Sequence, residues 1–398
     1  MRLHPVRRSP ACLLAVLLLL PSQALGAEST SMRPGGSVRV AQSIFDVIEY
    51  RRKLAEYTAA HQRYEAEADA YWNAVSEKRR IRAAKRRNNQ EIVLQDYVLA
   101  QPPVYSGPPR PVDPSAPEEV PPPRKYVPVV ADFLEAAAQE FRFVPQQPQS
   151  EIEYKRVYAK IASAAGLTKE QVVRIYGFES GGDGKFDVQA GLEYPRPNAR
   201  AISTALGYNQ LLAANSVNLL ADKGDHFMRA LNGKAAGLTA DARNMLERKI
   251  AVVRAMIAFS RSVPNDWGAH ERIARTSKGI GIHALNLDVD VGPLLQTQKL
   301  LNSIVYARKQ GHQAALSAAE LEMMNLTGDG NGLDMVMMPP AWRERVPTSN
   351  FFREGGYERS PIARRANVVS KLLTETNSRM DEEARLQGAK DLMAVFPR

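Results

Sequence analysis

The chain has 398 residues, a formal net charge of +10 at pH 7 and a single cysteine, Cys12. One cysteine cannot form an internal disulfide, so a chain of this length must be held together by a packed hydrophobic core. A strongly basic chain favours an anionic partner, such as a cell-wall polymer, lipid headgroups or nucleic acid.

The first 26 residues are typical of a secretory signal peptide. Arg7 and Arg8 precede an apolar run over residues 11–20, and residues 24–26 form a small-x-small cleavage site. The run is too short for a permanent bilayer span, and an uncleaved anchor is the alternative. Cleavage would remove Cys12 and three arginines, which lowers the charge to +7 and excludes thiol catalysis. We therefore expect a periplasmic protein that does not bind nucleic acid.

Residues 42–95 form a highly charged stretch with few helix breakers and a loose apolar stripe. This pattern predicts a charged helical segment over residues 27–100, either a solvated helix or a weak coiled-coil pair. Basic side chains are concentrated from Arg79 to Arg87. This run is a candidate contact for an anionic cell-wall or membrane surface, although most charge runs are simply solvated.

Eleven prolines between positions 102 and 128 forbid a helix and favour extended polyproline II. We predict a semi-rigid linker over residues 101–128, with a domain boundary there. Residues 129–398 are expected to be mostly α-helical, and Val188–Tyr194 is the only segment whose pattern would allow a short hairpin. The predicted helices are Val130–Phe141, Glu151–Ala165, Lys169–Glu179, Ala205–Leu220, Ala240–Arg261, Leu294–Gln310, Ser317–Asn325 and Ala366–Leu386.

The sequence contains signals for both ends of the predicted helix Lys169–Glu179. Thr168 and Gln171 have the spacing of a capping box, and Gly181 with Gly182 can supply a left-handed C-cap. Its helical periodicity places Glu179 on one stripe with Val172, Ile175 and Tyr176. A carboxyl group on a buried stripe has a raised pKa, as a general acid requires. The alternative is an ordinary helix end with Glu179 turned to solvent.

Three segments together resemble the lysozyme-like core of soluble lytic transglycosylases. They are Phe178-Glu179-Ser180, Ala201-Ile202-Ser203 and Ala205-Leu206-Gly207-Tyr208-Asn209-Gln210-Leu211-Leu212. The resemblance covers roughly residues 150–225. It implies an all-α, lysozyme-like catalytic domain over residues 129–398. It also implies action on peptidoglycan glycan strands, at the β-1,4 bond between N-acetylmuramic acid and N-acetylglucosamine.

The resemblance also implies roles for individual residues. Glu179 matches the catalytic acid, Ser180 the motif serine and Gln210 the glutamine that lines the sugar groove. Tyr208 and Asn209 stand where the family usually has an apolar pair, and we expect them to contact the substrate. Residues 185–200 form an apparent insertion between the two motifs. Neither a cofactor nor a metal is expected in this chemistry, which leaves one carboxylate to act with the sugar's own hydroxyl group.

Two other functions stay open at this stage. A water-using muramidase or chitosanase-like hydrolase would need a second carboxylate, and Asp183, Asp187 and Glu193 are the nearest candidates. A non-catalytic cell-wall scaffold would leave Glu179 exposed, with no groove between it and Gln210. Additional aromatic candidates for sugar stacking are Tyr194, Trp267 and Trp342. The glycine-rich segment 327–334 lacks the ligand pattern of a calcium loop and is predicted to be a turn between helices.

Overall fold

A computed structural model of the protein describes residues 35–114, 125–192 and 200–397, with side chains from residue 45 onwards. The signal peptide proposed from the sequence, Glu193 and Tyr194 lie outside these ranges. The described part is all-α, as predicted, and contains no β-strand. Its α-helices are α1 Gly35–Arg87, α2 Val130–Phe141, α3 Glu151–Ala164, α4 Lys169–Ser180, α5 Ala213–Ala236, α6 Ala240–Ser260, α7 Trp267–Ala274, α8 Ser277–His283, α9 Gly292–Lys309, α10 Ala318–Thr327, α11 Asp329–Met337, α12 Pro340–Arg343, α13 Glu354–Glu358, α14 Pro361–Ala366, α15 Val369–Glu383 and α16 Gln387–Val395.

The predicted helix Ala205–Leu220 is wrong in its first half. Helix α5 begins only at Ala213, and residues 205–212 form a loop. Gly207 and Gln210 have φ angles of 80° and 43°, in the left-handed region that a right-handed helix cannot use. The motif that the sequence placed on a helix therefore lies on a tight turn in front of one.

Two isolated bridges close this loop. Leu206 pairs with Leu211 across the turn, and it also pairs with Gln189 from the segment after α4. In the described part of Val188–Tyr194, where the sequence would allow a hairpin, Gln189 pairs instead with the more distant Leu206. A second prediction also fails, because residues 329–337 form helix α11 and only Gly328, with a φ of 85°, separates it from α10.

The chain divides into two compact units, and the division differs from the boundary predicted at the proline-rich segment. One unit contains residues 35–60 and 107–114 of the described chain, where Pro108–Pro114 line a cleft with residues 46–56 of α1. The other contains residues 61–106, 125–192 and 200–397. The second half of α1 and the first prolines therefore belong to the same unit as the predicted catalytic domain.

Arg82 lies in the second half of α1 and joins this part of the helix to the rest of the larger unit. Its side chain is fully buried, and its guanidinium group donates to Asp334 at 3.1 Å and to the carbonyl oxygens of Asp96 and Asn350 at 2.9 Å each. The ring of Tyr97 lies 4.5 Å from the guanidinium carbon. Burial lowers the pKa of Arg82 and raises the pKa of Asp334, because the loss of hydration outweighs their mutual attraction.

The basic run at the end of α1 is therefore only partly a surface. Arg86 also pairs with Asp334, and Lys85 pairs with Asp96 at 2.6 Å. Arg80 and Arg87 remain exposed. The most buried arginine of the run holds the fold together and is not available to an external anion.

We expect Asp334→Asn to lower the free energy of unfolding by about 3–5 kcal/mol, because it leaves the buried charge of Arg82 without its carboxylate. Asp225→Asn removes the carboxylate of an exposed pair with Arg261 and should leave the free energy of unfolding nearly unchanged, because water screens this pair. Denaturant unfolding of both variants measures the difference. Equal losses would contradict a buried anchor at Arg82.

Candidate active site

Helix α4 carries Glu179 to the site; it begins at Lys169 as the sequence predicted and ends one residue later than predicted, at Ser180. Thr168 and Gln171 form the capping box, with reciprocal hydrogen bonds of 2.9 and 3.1 Å. Val172, Ile175 and Tyr176 are fully buried on one stripe of the helix. Glu179 continues that stripe and is half-buried at the last turn, so its carboxyl group is neither an ordinary surface group nor a closed core group.

Two glycines end α4 tightly. Gly181 and Gly182 have φ angles of 69° and 73°, which confirms the predicted left-handed C-cap. A Cβ atom on Gly182 would lie 2.5 Å from the carbonyl oxygen of Glu383, so only glycine fits against the end of α15. Ala389 at the start of α16 donates from its backbone to the carbonyl of Gly182 at 2.8 Å. The turn after Glu179 is therefore held in place by its contacts with α15 and α16.

Glu179 and Gln210 line the same open cleft, whose volume is about 670 Å³. Residues from α4, α5, α7, α9, α10 and α11 form its walls, together with the loop before α5. The lining residues are Glu179, Ala190, Ala205, Gln210, Leu212, Asn215, Asn218, Leu219, Trp267, Lys299, Asn302, Met324, Asn325, Leu326, Gly328 and Asp329. The polar part of this lining consists of five side-chain amides and three charged groups, those of Glu179, Lys299 and Asp329, beside the ring of Trp267.

Gln210 is held by the turn that carries it. Its side-chain amide donates to the carbonyl oxygens of Gly207 at 2.8 Å and Val188 at 3.1 Å. These bonds use the NH₂ group, so the amide oxygen is the part of Gln210 that is left to accept from a ligand. Gln210 and Glu179 thus line one cleft, and the sugar-binding role of Gln210 stays a prediction.

A second glutamate, which the sequence analysis missed, lies against Glu179. Glu322 of α10 is 1% exposed, and its carboxyl group is close enough to the side chains of Glu179 and Asn325 to interact with both. Asn325, one turn further along α10, donates from its side chain to Glu179. Glu322 follows Leu321 and precedes Met323, and both of these neighbours are fully buried. A glutamate inside an apolar helical segment was the signal that could have revealed it.

These two carboxyl groups cannot both be ionised at neutral pH. Burial raises the pKa of Glu179 to about 7, while the charges of Lys299 and Arg379 oppose this shift. Burial and the neighbouring Glu179 raise the pKa of Glu322 well above its usual range. Glu322 is the more deeply buried group, so it keeps its proton and can donate it in a hydrogen bond to Glu179. The pair titrates as a unit.

Tyr208 does not line the cleft, contrary to the sequence prediction. It is fully buried, and its hydroxyl group donates to Glu151. Its ring makes edge contacts with Tyr154, Tyr158 and Tyr176, at centroid distances of 4.7–5.3 Å. An aromatic ring enclosed by three others cannot stack on a sugar, so Tyr208 is a core residue that anchors the loop.

Asn209 is also a structural residue and not a ligand-binding one. It is fully buried, and its amide donates to the Tyr158 hydroxyl at 2.9 Å and to the Gln296 carbonyl at 2.8 Å. Its backbone N–H donates to the side chain of Gln296 at 2.8 Å. The Tyr208–Asn209 pair thus attaches the loop to α3 and α9, and this fixes the position of Gln210 beside it.

Ser180 is half-buried and does not line the cleft, because its hydroxyl group donates to the carbonyl of Tyr176. Asp183 accepts at 2.7 Å from the backbone of Gly388, so it organises the turn after α4. Asp187 is exposed and lies outside the cleft lining. Neither aspartate supplies the second carboxylate. The other acidic side chains at the site are Glu322, which lies against Glu179, and Asp329 on the cleft lining.

The two tryptophans that the sequence offered for sugar stacking lie in different places. Trp267, at the start of α7, is 47% exposed and lines the cleft with Glu179. Trp342 lies in a separate groove beside Arg86 and Met338. Trp267 is thus the aromatic surface that is available to a ligand in the candidate active site.

Within the described ranges, no three histidine, cysteine, aspartate or glutamate side chains are grouped closely enough to hold a metal ion. None of the helices in those ranges is both long and apolar enough to cross a bilayer. No family model, curated protein or solved structure matches this chain.

The carboxyl pair predicts a pH-dependent stability. Raised pKa values in the folded state mean that stability is fully present below the unfolded pKa of about 4.5 and is lost as the pH rises. Glu322→Gln removes one of these titrations and should gain stability relative to the unsubstituted protein. We expect the gain to grow with pH between about pH 5 and about pH 8, by at most about 1.4 kcal/mol per pH unit for the one proton removed.

Denaturant unfolding across this pH range measures the effect. Glu140→Gln changes an exposed glutamate of α2 and should leave the pH dependence unaltered. A pH-independent difference between Glu322→Gln and the parent protein would mean that Glu322 is ionised in the folded state.

Proposed function

We propose that the protein is an exported peptidoglycan lytic transglycosylase that acts in the periplasm. One observation carries the proposal: Glu179, with a pKa near 7, shares an open cleft with Gln210 and Trp267. A carboxyl group that is half-protonated near neutral pH can give a proton to a leaving oxygen and take one back. The resemblance between the two sequence motifs and the lytic transglycosylases gives the substrate class.

In this proposal Glu179 acts twice. It first protonates the glycosidic oxygen between N-acetylmuramic acid and N-acetylglucosamine, and the bond from that oxygen to the muramyl anomeric carbon breaks. The ionised Glu179 then accepts the proton of the muramyl 6-hydroxyl group, whose oxygen bonds to the anomeric carbon. The products are a 1,6-anhydromuramyl end and a free 4-hydroxyl group, and Glu179 is again protonated. The scheme uses only this carboxyl group and the hydroxyl group of the substrate.

In this scheme Glu322 stabilises the ionised form of Glu179. With its own proton it can donate to the Glu179 carboxylate in the interval when Glu179 has given its proton away. Asn325 donates to the same carboxyl group and fixes its orientation. A charge that forms in a buried place is stabilised by such preorganised donors. Glu322 is a positioning residue in this scheme, because it does not line the cleft.

The non-catalytic scaffold is the weaker alternative. It requires an exposed Glu179 and no groove between Glu179 and Gln210, whereas the two residues line one cleft. The water-using hydrolase has a specific observation in its favour. Asp329 lies on the lining of the same cleft, and Ser303 donates to it at 2.6 Å. A carboxylate placed across the bond from Glu179 could activate water.

We expect Glu179→Gln to abolish the release of 1,6-anhydromuropeptides from purified sacculi while the protein remains folded. Glutamine keeps the shape and the hydrogen bond of the carboxyl group but cannot transfer a proton, which typically costs about 10²–10⁴-fold in rate. Asp187→Asn is the matched control, because it neutralises an exposed carboxylate nearby and outside the cleft. Mass spectrometry of the products and circular dichroism of both variants make the measurement.

The same digestion separates the two enzymatic functions. A transglycosylase gives ends that are lighter by one water than the reducing ends of a hydrolase. If the products carry reducing ends, and Asp329→Asn no longer forms them, the protein is a hydrolase and not a transglycosylase. Full activity in Glu179→Gln would contradict both enzymatic functions, because both use Glu179 as the proton donor.

A further inference from the structure

The cleft contains one cationic side chain, that of Lys299. Among the lining residues no other lysine, arginine or histidine is present. Lys299 projects from α9 and is half-buried. Its charge acts on both Glu179 and Glu322, which places it close to the carboxyl pair.

Lys299 forms no ion pair within the described part of the chain, unlike Lys234 and Lys249, which pair with Asp290. The carboxyl groups of Glu179 and Asp329 line the same cleft, but within the described residues neither forms an ion pair with Lys299. The amides of Asn302 on the next turn of α9 and Asn325 of α10 complete the polar lining on this side. Lys299 is thus a half-buried cation on the cleft wall with no carboxylate at ion-pair distance in the described residues. Such a group in a ligand cleft is ready to bind an anion.

We propose that the cleft selects a glycan that carries a carboxylate beside the bond to be cleaved, and that the ammonium group of Lys299 binds this carboxylate. This inference rests on the proposed function. In peptidoglycan the muramyl sugar carries a lactyl ether, and its carboxyl group is free only when no stem peptide is attached. The lactyl carboxylate is therefore the carboxylate nearest to the scissile bond, and it is present only in peptide-free strands. Hydrolysis of the amide bond that attaches the stem peptide must then precede cleavage of the strand. The stem peptide itself is the other source of a carboxylate.

The first experiment measures binding, with Glu179→Gln as the background so that no strand is cleaved. The probes are peptide-free glycan strands and the same strands with the lactyl carboxyl group reduced to an alcohol. Calorimetry should show that reduction weakens binding by about 10- to 100-fold, the value of a charge-assisted hydrogen bond. Adding Lys299→Met should weaken binding to the unreduced strands by the same factor and leave the reduced strands unaffected.

Two variants control for the fold. Lys299→Arg keeps the charge and should retain the preference for the unreduced strands. Lys309→Met changes an exposed lysine at the end of the same helix and should have no effect on binding. If Lys299→Met binds both kinds of strand as tightly as its parent, the inference is wrong.

The second experiment measures product release by the protein with Glu179 intact. Peptide-free, carboxyl-reduced and peptide-bearing strands are compared, with and without Lys299→Met. A loss confined to peptide-free strands identifies the lactyl carboxylate, and a loss confined to peptide-bearing strands identifies the stem peptide. Cleavage of none of the strands would overturn the proposed function, while the binding preference would still decide the role of Lys299. Equal cleavage of all strands in both proteins would overturn the inference alone.

Discussion

The arrangement of the candidate active site depends on the packing of four buried tyrosines. Tyr154 and Tyr158 come from α3, Tyr176 from α4 and Tyr208 from the loop before α5. Because Tyr176 and Tyr208 pack edge to face at 4.7 Å, the helix that ends at Glu179 and the turn that carries Gln210 share one rigid base. The cleft is the space that this base leaves open between two hydrophobic clusters, one around α5 and one around α4 and α10.

The second constraint is the electrostatic cost of burial. Glu322 has no room for a hydration shell, and a second charge beside an ionised Glu179 would be costly. A protonated Glu322 removes that cost and turns a destabilising group into a hydrogen-bond donor. The arrangement lowers the stability of the fold at alkaline pH, and it provides a carboxyl group that titrates near neutral pH. Such exchanges are typical of sites that perform acid–base chemistry.

The sequence predicted what depends on local chain properties. The capping box at Thr168, the glycine C-cap and the apolar stripe next to Glu179 involve neighbours within a few turns, and the structure contains all three. It did not predict what depends on distant partners. Tyr208 looked like a sugar platform because its burial comes from α3 and α4, and Glu322 was missed because its partner lies 143 positions earlier in the chain. The loop at 205–212 was taken for a helix because apolar spacing alone cannot reveal a left-handed turn.

The contact of α15 and α16 with the turn after Glu179 bears on the order in which the site forms during synthesis. Asp183 and its partner Gly388 are separated by 205 positions, and Ala389 closes the second bond to Gly182. A ribosome makes the helix that ends at Glu179 long before the residues that brace it. The carboxyl group of Glu179 therefore gains its fixed position only when α15 and α16 have been made and have packed. An enzyme of the kind proposed above would in this way remain inert while these helices are still being made.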